Sequence, residues 1–170
     1  MNSISICRPQ HEAAATVDHD TSRPTIRRAI AADVPAIAGI YLASREDALP
    51  GLHKAHTDAE VSGWIAHVLL LRTDAWVAER DDTVLGFIAL HDGWVEQLYL
   101  VPNCCRQGIG TALLAIVKRY NPAGLRLFCF QRNSRSRAFY EANGFAAVRF
   151  SDGSDNEEQE PDIEYVWAGA

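Results

Sequence analysis

A chain of 170 residues, 48% hydrophobic, with four Trp, five Tyr and six Phe, carries enough apolar material for one packed core and is too short for two ordinary domains. Its 16 Lys and Arg against 22 Asp and Glu leave a net charge of −6, which excludes a general attraction to nucleic acid or to an anionic membrane surface. No apolar run approaches the roughly 18 residues that span a bilayer, and the opening MNSISICRPQHEAAATVDHD lacks the apolar centre of a signal peptide. The chain therefore reads as soluble and cytoplasmic.

In chain order, residues 1–23 mix Ser, Thr, Asp, His and Ala without periodicity and read as a disordered leader; one domain is expected over 24–170. TIRRAI is a short strand. Asp33 reads as the N-cap of a helix to about Ser44, with Pro35 tolerated in its first turn. Leu49 to His56 is a loop, and Thr57-Asp58-Ala59-Glu60 has the spacing of a capping box opening a second helix. AWVAER, VLGFIALHDG and WVEQLYLV follow as three strands joined by tight turns, an antiparallel meander. A helix from about Gly108 to Tyr120 precedes the strand GLRLFCF. Asn133 caps a helix that stops at Gly144, and the strands FAAVRF and IEYVW flank an acidic loop, Ser151 to Asp162. The order β α α β β β α β α β β predicts a mixed α/β (α+β) fold with a largely antiparallel central sheet flanked by helices. Cys7, Cys104, Cys105 and Cys129 show no C-x-x-C spacing, so they read as free thiols, and no metal site converges.

The stretch LYLVPNCCRQGIGTALLAIVKRY, Leu98 to Tyr120, is the junction where strand becomes helix. A helix start carries about four unpaired N–H groups and roughly half a positive charge, so it attracts a phosphate or carboxylate. Gly108 and Gly110 let a backbone approach such an anion, and Arg106 adds a charge. The same glycines also suit a turn that serves only tight packing. The chain has no G-x-x-x-x-G-K-[ST] run, and Leu113 spoils a dinucleotide fingerprint.

With VP, RQGIGT and ALL in register, the junction resembles motif A of the GNAT superfamily of acyl-CoA-dependent N-acyltransferases. The later NSRSRAFYEANGF, with Asn133, Phe139-Tyr140-Glu141 and Gly144-Phe145, is similar to that family's second signature. The resemblance runs from about Ile26 to Phe150. It departs at Cys105, where the family has Gln or Arg.

This resemblance implies acetyl-CoA as cosubstrate, without a metal, held by Tyr99, Leu100, Val101, Arg106, Gln107, Gly108, Ile109, Gly110, Thr111, Asn133 and Tyr140. It also implies direct transfer to a primary amine of a small molecule, an amino acid or a peptide. An alkylammonium of pKa about 10.4 is only about 0.04% neutral at pH 7, so a base must take its proton. Glu96, on the strand leading to the junction, is the candidate; it reads equally as a carboxylate on an exposed strand face. Some relatives place the base where this chain has Phe128. A backbone N–H of Tyr99 to Val101 is expected to hold the oxyanion, and the Tyr140 phenol to protonate the leaving thiolate, unless that Phe-Tyr pair is simply core.

The acceptor is expected between SREDALPGLHKAH and the acidic loop. Glu46, His53, Glu157 and Asp162, with Asp47, His56, Trp64 and Glu158 nearby, either form a mouth for a cationic amine or are solvated charges. A non-catalytic acyl-CoA sensor is the alternative, and open sheet edges make a homodimer plausible.

Overall fold

The computed structural model describes residues 23–54 and 56–169, so the leader up to Ser22, with Cys7, lies outside the described residues. Strand β1 (Thr25–Arg28) leads through a 3-10 turn (Ala31–Asp33) into α1 (Val34–Ala48). The expected Asp33 cap is not formed. Asp33 instead takes both terminal nitrogens of Arg27, at 2.7 and 2.9 Å, and the Ile30 N–H at 2.9 Å. The helix gains Pro35 as a pre-set first-turn residue and runs four residues beyond Ser44.

The Thr57 box holds: Glu60 N–H donates to the Thr57 hydroxyl oxygen at 3.3 Å, and Thr57 N–H donates to the Glu60 carboxylate at 2.7 Å. It opens α2 (Asp58–Trp64), which continues through a π-helical stretch (Ile65–Leu69) into the short α3 (Leu70–Arg72). The meander is β2 (Asp74–Arg80), β3 (Thr83–His91) and β4 (Trp94–Leu100). After it come α4 (Ile109–Tyr120), β5 (Leu125–Phe130), α5 (Ser134–Ala142), β6 (Ala146–Phe150) and β7 (Asp162–Trp167).

One seven-stranded sheet results, ordered β1-β2-β3-β4-β5-β7-β6. Every pairing is antiparallel except β4 with β5. That parallel pair meets only at Trp94 and Arg126, and beyond it the strands part. On one face α4 and α5 cover a core that crosses the gap, from Ile88 and Leu100 to Leu127, Ile163 and Tyr165. On the other face α1 and α2 cover β2 to β4 only, around Ile37, Ile65, Phe87 and Tyr99. The alternation of each strand, with Leu98 and Leu100 on one side and Tyr99 on the other, distributes these side chains.

The expectation of four free thiols needs correction. Cys104 and Cys129 are free, whereas Cys105 is in a disulfide.

Candidate active site

The two glycines of the junction turn out to do different work. Gly108 caps α4 with φ +78°, a left-handed conformation that an L side chain rarely adopts, and a Cβ there would point into open space. Gly110 lies under α5: a Cβ would come within 3.1 Å of the Phe139 ring and 3.6 Å of Leu100. Gly110 therefore serves packing and Gly108 serves the turn, while Arg106 is also left-handed at φ 63°. Alternating handedness of this kind points successive N–H groups into one concavity.

That concavity is lined by Leu100, Arg106, Gly108, Thr111, Arg135 and Phe139, with Cys105 and Gly110 also in its wall, and has a volume of about 520 Å³, within the usual range for small-molecule sites. Ile109 is buried in the core, so only its backbone can reach the concavity. Gln107 turns outward; its Oε1 accepts from both terminal nitrogens of Arg80 at 3.4 Å. The Asn133 carboxamide oxygen accepts from Ser136 N–H at 3.1 Å and so caps α5. Arg135 was missed in the sequence and Phe139 was read only as part of the second signature, although their i, i+4 spacing puts them on one face.

Behind the concavity lies the parting of β4 and β5. Val101 N–H donates to Leu85 O at 2.8 Å, so that donor is committed to β3. Antiparallel ladders alternate, so Tyr99 also faces β3, while the N–H groups of Leu98 and Leu100 turn toward β5, where the ladder is interrupted. Of the three donors expected, Leu100 has the geometry for an oxyanion.

Tyr140 is fully buried, and its hydroxyl has no hydrogen-bond partner among the described residues. Burial pushes its phenol well above the ordinary range, with Cys129 of β5 and Tyr99 of β4 close enough to add to the effect. The Cys129 thiol is likewise pushed up to about 12 by burial. A neutral thiol of this kind is no nucleophile, which disfavours transfer through a Cys129 thioester.

Glu96 occupies a β-bulge. Ala89 pairs with Gln97 and Leu90 with Val95, so the register steps past Glu96 and turns it out of the alternation. Burial raises its carboxyl above the usual range, which suits a proton acceptor. It shares a cavity of about 330 Å³ with Trp64, His91, Arg72 and Glu157. Phe128 stacks on Trp94 with ring centroids 5.1 Å apart, so the alternative base position is an aromatic wall.

The four residues expected to hold the acceptor divide. Glu46 and His53 line a concavity beside α1 with Arg45 and Glu158, and Glu46 pairs with Lys54 at 3.3 Å. Glu157 and Asp162 line another with Phe128 and Arg149. Asp162 is largely buried and accepts from the Asn156 side chain at 3.0 Å, which ties down its own loop. Glu157 also meets His56 at 3.3 Å. Among the described residues no group of three or more His, Cys, Asp or Glu is placed to hold a metal. No described helix is long and apolar enough to cross a membrane.

Comparison with known proteins agrees with this geometry. The family model described as acetyltransferase (GNAT) domain matches residues 72–147, which contain the bulge, the cradle and α5. The peptidyl-lysine N-acetyltransferase YiaC of Escherichia coli strain K12 is 32% identical over 124 residues, spanning 72% of this chain and 84% of that protein. Among solved structures, apo YjaB from Escherichia coli superposes with a TM-score of 0.71 at 22% identity, covering 86% of this chain and 99% of the other. PaiA N-acetyltransferase from Thermoplasma acidophilum, solved with coenzyme A, gives 0.64 at 22%, covering 84% and 98%. With the parted strands, the left-handed helix entrance and a relative of this identity and coverage, the chain belongs to the GNAT acetyltransferase family and is an acyltransferase.

Proposed function

We propose that the protein transfers the acetyl group of acetyl-CoA directly to a primary amine, and that the amine is the side chain of a lysine in a polypeptide. The observation that carries the reading is the buried Tyr140 hydroxyl, without a hydrogen-bond partner among the described residues, behind a glycine-capped helix start. The diphosphate of the cosubstrate suits the N–H groups at the start of α4, with Arg106 and Arg135 beside it. Its thioester then lies between β4 and β5. The lysine comes from the Glu96 side, where Glu157 adds a second carboxylate.

Glu96, directly or through water, accepts the ammonium proton, offsetting a handicap of about 4.6 kcal/mol at pH 7. The neutral nitrogen attacks the thioester carbonyl, and Leu100 N–H donates to the developing oxyanion. The C–S bond breaks, Tyr140 gives its proton to the departing sulfur, the second proton of the attacking nitrogen returns through water to the Tyr140 oxygen as the amide forms, and Glu96 releases its proton to solvent. Support for a polypeptide acceptor comes from the YiaC relative, a peptidyl-lysine acetyltransferase, and from the carboxylates facing the acceptor side.

The test is release of CoA thiol from acetyl-CoA against lysine peptides, with isothermal titration of CoA alongside. Acetyl-lysine product with one thiol per turnover is expected. CoA binding with no transfer to any amine would turn the reading into a sensor; no CoA binding would end it.

A further inference from the structure

Before each new turnover Glu96 has to lose the proton it took from the amine. It sits on the bulge of β4, in a cavity of about 330 Å³ covered by Trp64 of α2 and by Val68 and Leu69 of the π-helical stretch. An acceptor that reaches Glu96 from the Glu157 side covers that mouth of the cavity, so the proton needs a route at the other end.

A second concavity, of about 420 Å³, lies there, between the start of β2, the β3–β4 turn and the end of α4, with Asp74, Asp92, Gly93 and Tyr120 in its wall. Three residues line both cavities: Arg72, Thr73 and His91. A guanidinium does not give up its proton near neutral pH, which removes Arg72 as a carrier. Thr73 Oγ1 donates to Leu69 O at 2.8 Å and is committed to the helix end. His91 is left, and an imidazole both takes and gives a proton near neutral pH.

The ladder places it well. His91 ends β3 opposite Trp94, with one rung, Leu90 and Val95, between it and the bulge at Glu96. Leu90 belongs to the core under α4 and Ala89 to the core under α1 and α2, so alternation turns His91 to the α2 side, where Glu96 also opens. His91 Nε2 lies 3.5 Å from Asp92 Oδ2, toward the outer concavity, which leaves Nδ1 as the ring nitrogen with a lone pair for a proton arriving from within. Burial raises the Glu96 carboxyl, and among the described residues it is the His91 charge that acts against that rise. The other charged groups facing the pair are Glu157 and Arg72 within, and Asp92 and Asp74 outside, the last paired with Arg28 at 2.6 Å.

We infer that His91 is the proton outlet of the site: the O–H bond of the protonated Glu96 breaks, its proton passes through water in the shared cavity to His91 Nδ1, and the imidazolium gives a proton to solvent at the outer concavity. Carboxylate and neutral ring are thereby restored for the next turnover. His91 acts through Glu96 and does not touch the substrate. The inference rests on the reading of Glu96 as the base.

Proton release follows acetyl transfer, so removing His91 should spare the first turnover and slow those after it. With acetyl-CoA and a lysine peptide at pH 7, His91→Gln should show a burst of about one CoA thiol per protein, then a steady state about 10-fold or more below the parent, with CoA affinity within about twofold by calorimetry. In His91→Ala, added imidazole should raise the steady-state rate with its concentration, which the loss of a merely structural side chain would not allow.

Parent-like steady-state turnover in His91→Gln, a first turnover slowed as much as the later ones, or a His91→Ala rate indifferent to imidazole would overturn the outlet and leave the proposed function standing. Parent-like turnover in Glu96→Gln would remove the base and the outlet with it. Absence of any transfer by the parent would overturn the outlet together with the enzymatic reading.

Discussion

At the scale of single residues the proposed mechanism turns on two groups that burial moves the same way. Tyr140 keeps its proton because its phenolate would be desolvated. Tyr140→Phe should therefore lower kcat by about 10²-fold or more while CoA affinity stays within about twofold, read by steady-state kinetics and calorimetry. Glu96 is held above the usual carboxylate range by burial, so kcat/KM should fall with acid below an apparent pKa higher than that of a free Glu. The linkage has a definite sign. A raised pKa in the folded state stabilises below the unfolded value, and that gain is lost as pH rises through the folded value. Above its raised folded value the ionised Glu96 is thus a cost to folding. Glu96→Gln should unfold no earlier than the parent at pH 7 while losing turnover, measured by thermal melts beside the rate assay.

At the scale of elements, the two glycines at the entrance of α4 should answer differently to substitution. Gly108→Glu places a carboxylate in the open concavity from a backbone at φ +78°, so calorimetry should show CoA affinity lowered by an order of magnitude or more. Gly110→Val drives into the Phe139 ring, and its cost should appear mainly in stability, about 1 to 3 kcal/mol in a denaturant titration. Local elements were legible in the sequence because their signals are local. Thr57 and Glu60 cap, Asn133 caps, and the 2-residue alternation marked each strand of the meander. Asp33 was misread because its partner, Arg27, comes from a different element. The bulge at Glu96 and the insertion of β7 between β5 and β6 depend on long-range pairing, which no periodicity encodes. Cradle residues could be picked from the junction, while Arg45 and Glu158, 113 positions apart, gave no sign of meeting.

At the scale of the molecule, that long-range pair ties α1 to the acidic loop between β6 and β7. Both partners are largely buried, so Arg45→Ala leaves Glu158 uncompensated and should lower stability by about 3 kcal/mol. Hydrogen exchange should quicken first in residues 151–161; unchanged protection there would mean that the loop is held by its own turns. Among the described residues the far half of the sheet carries no helix on this face. Arg126 and Arg149 instead lie over Trp94 and Phe128 and converge on the buried Glu164.

The single meeting point between β4 and β5 has a mechanical consequence. Across that line main-chain rungs are missing, so what joins the two sides is chiefly side-chain packing under α4 and α5. An extended, amide-bearing molecule wedged there can supply rungs of its own, so occupancy stiffens the sheet as well as filling the site. On the proposed reading, the seam with a single paired rung is then the place where a bound thioester would do most to hold the protein together.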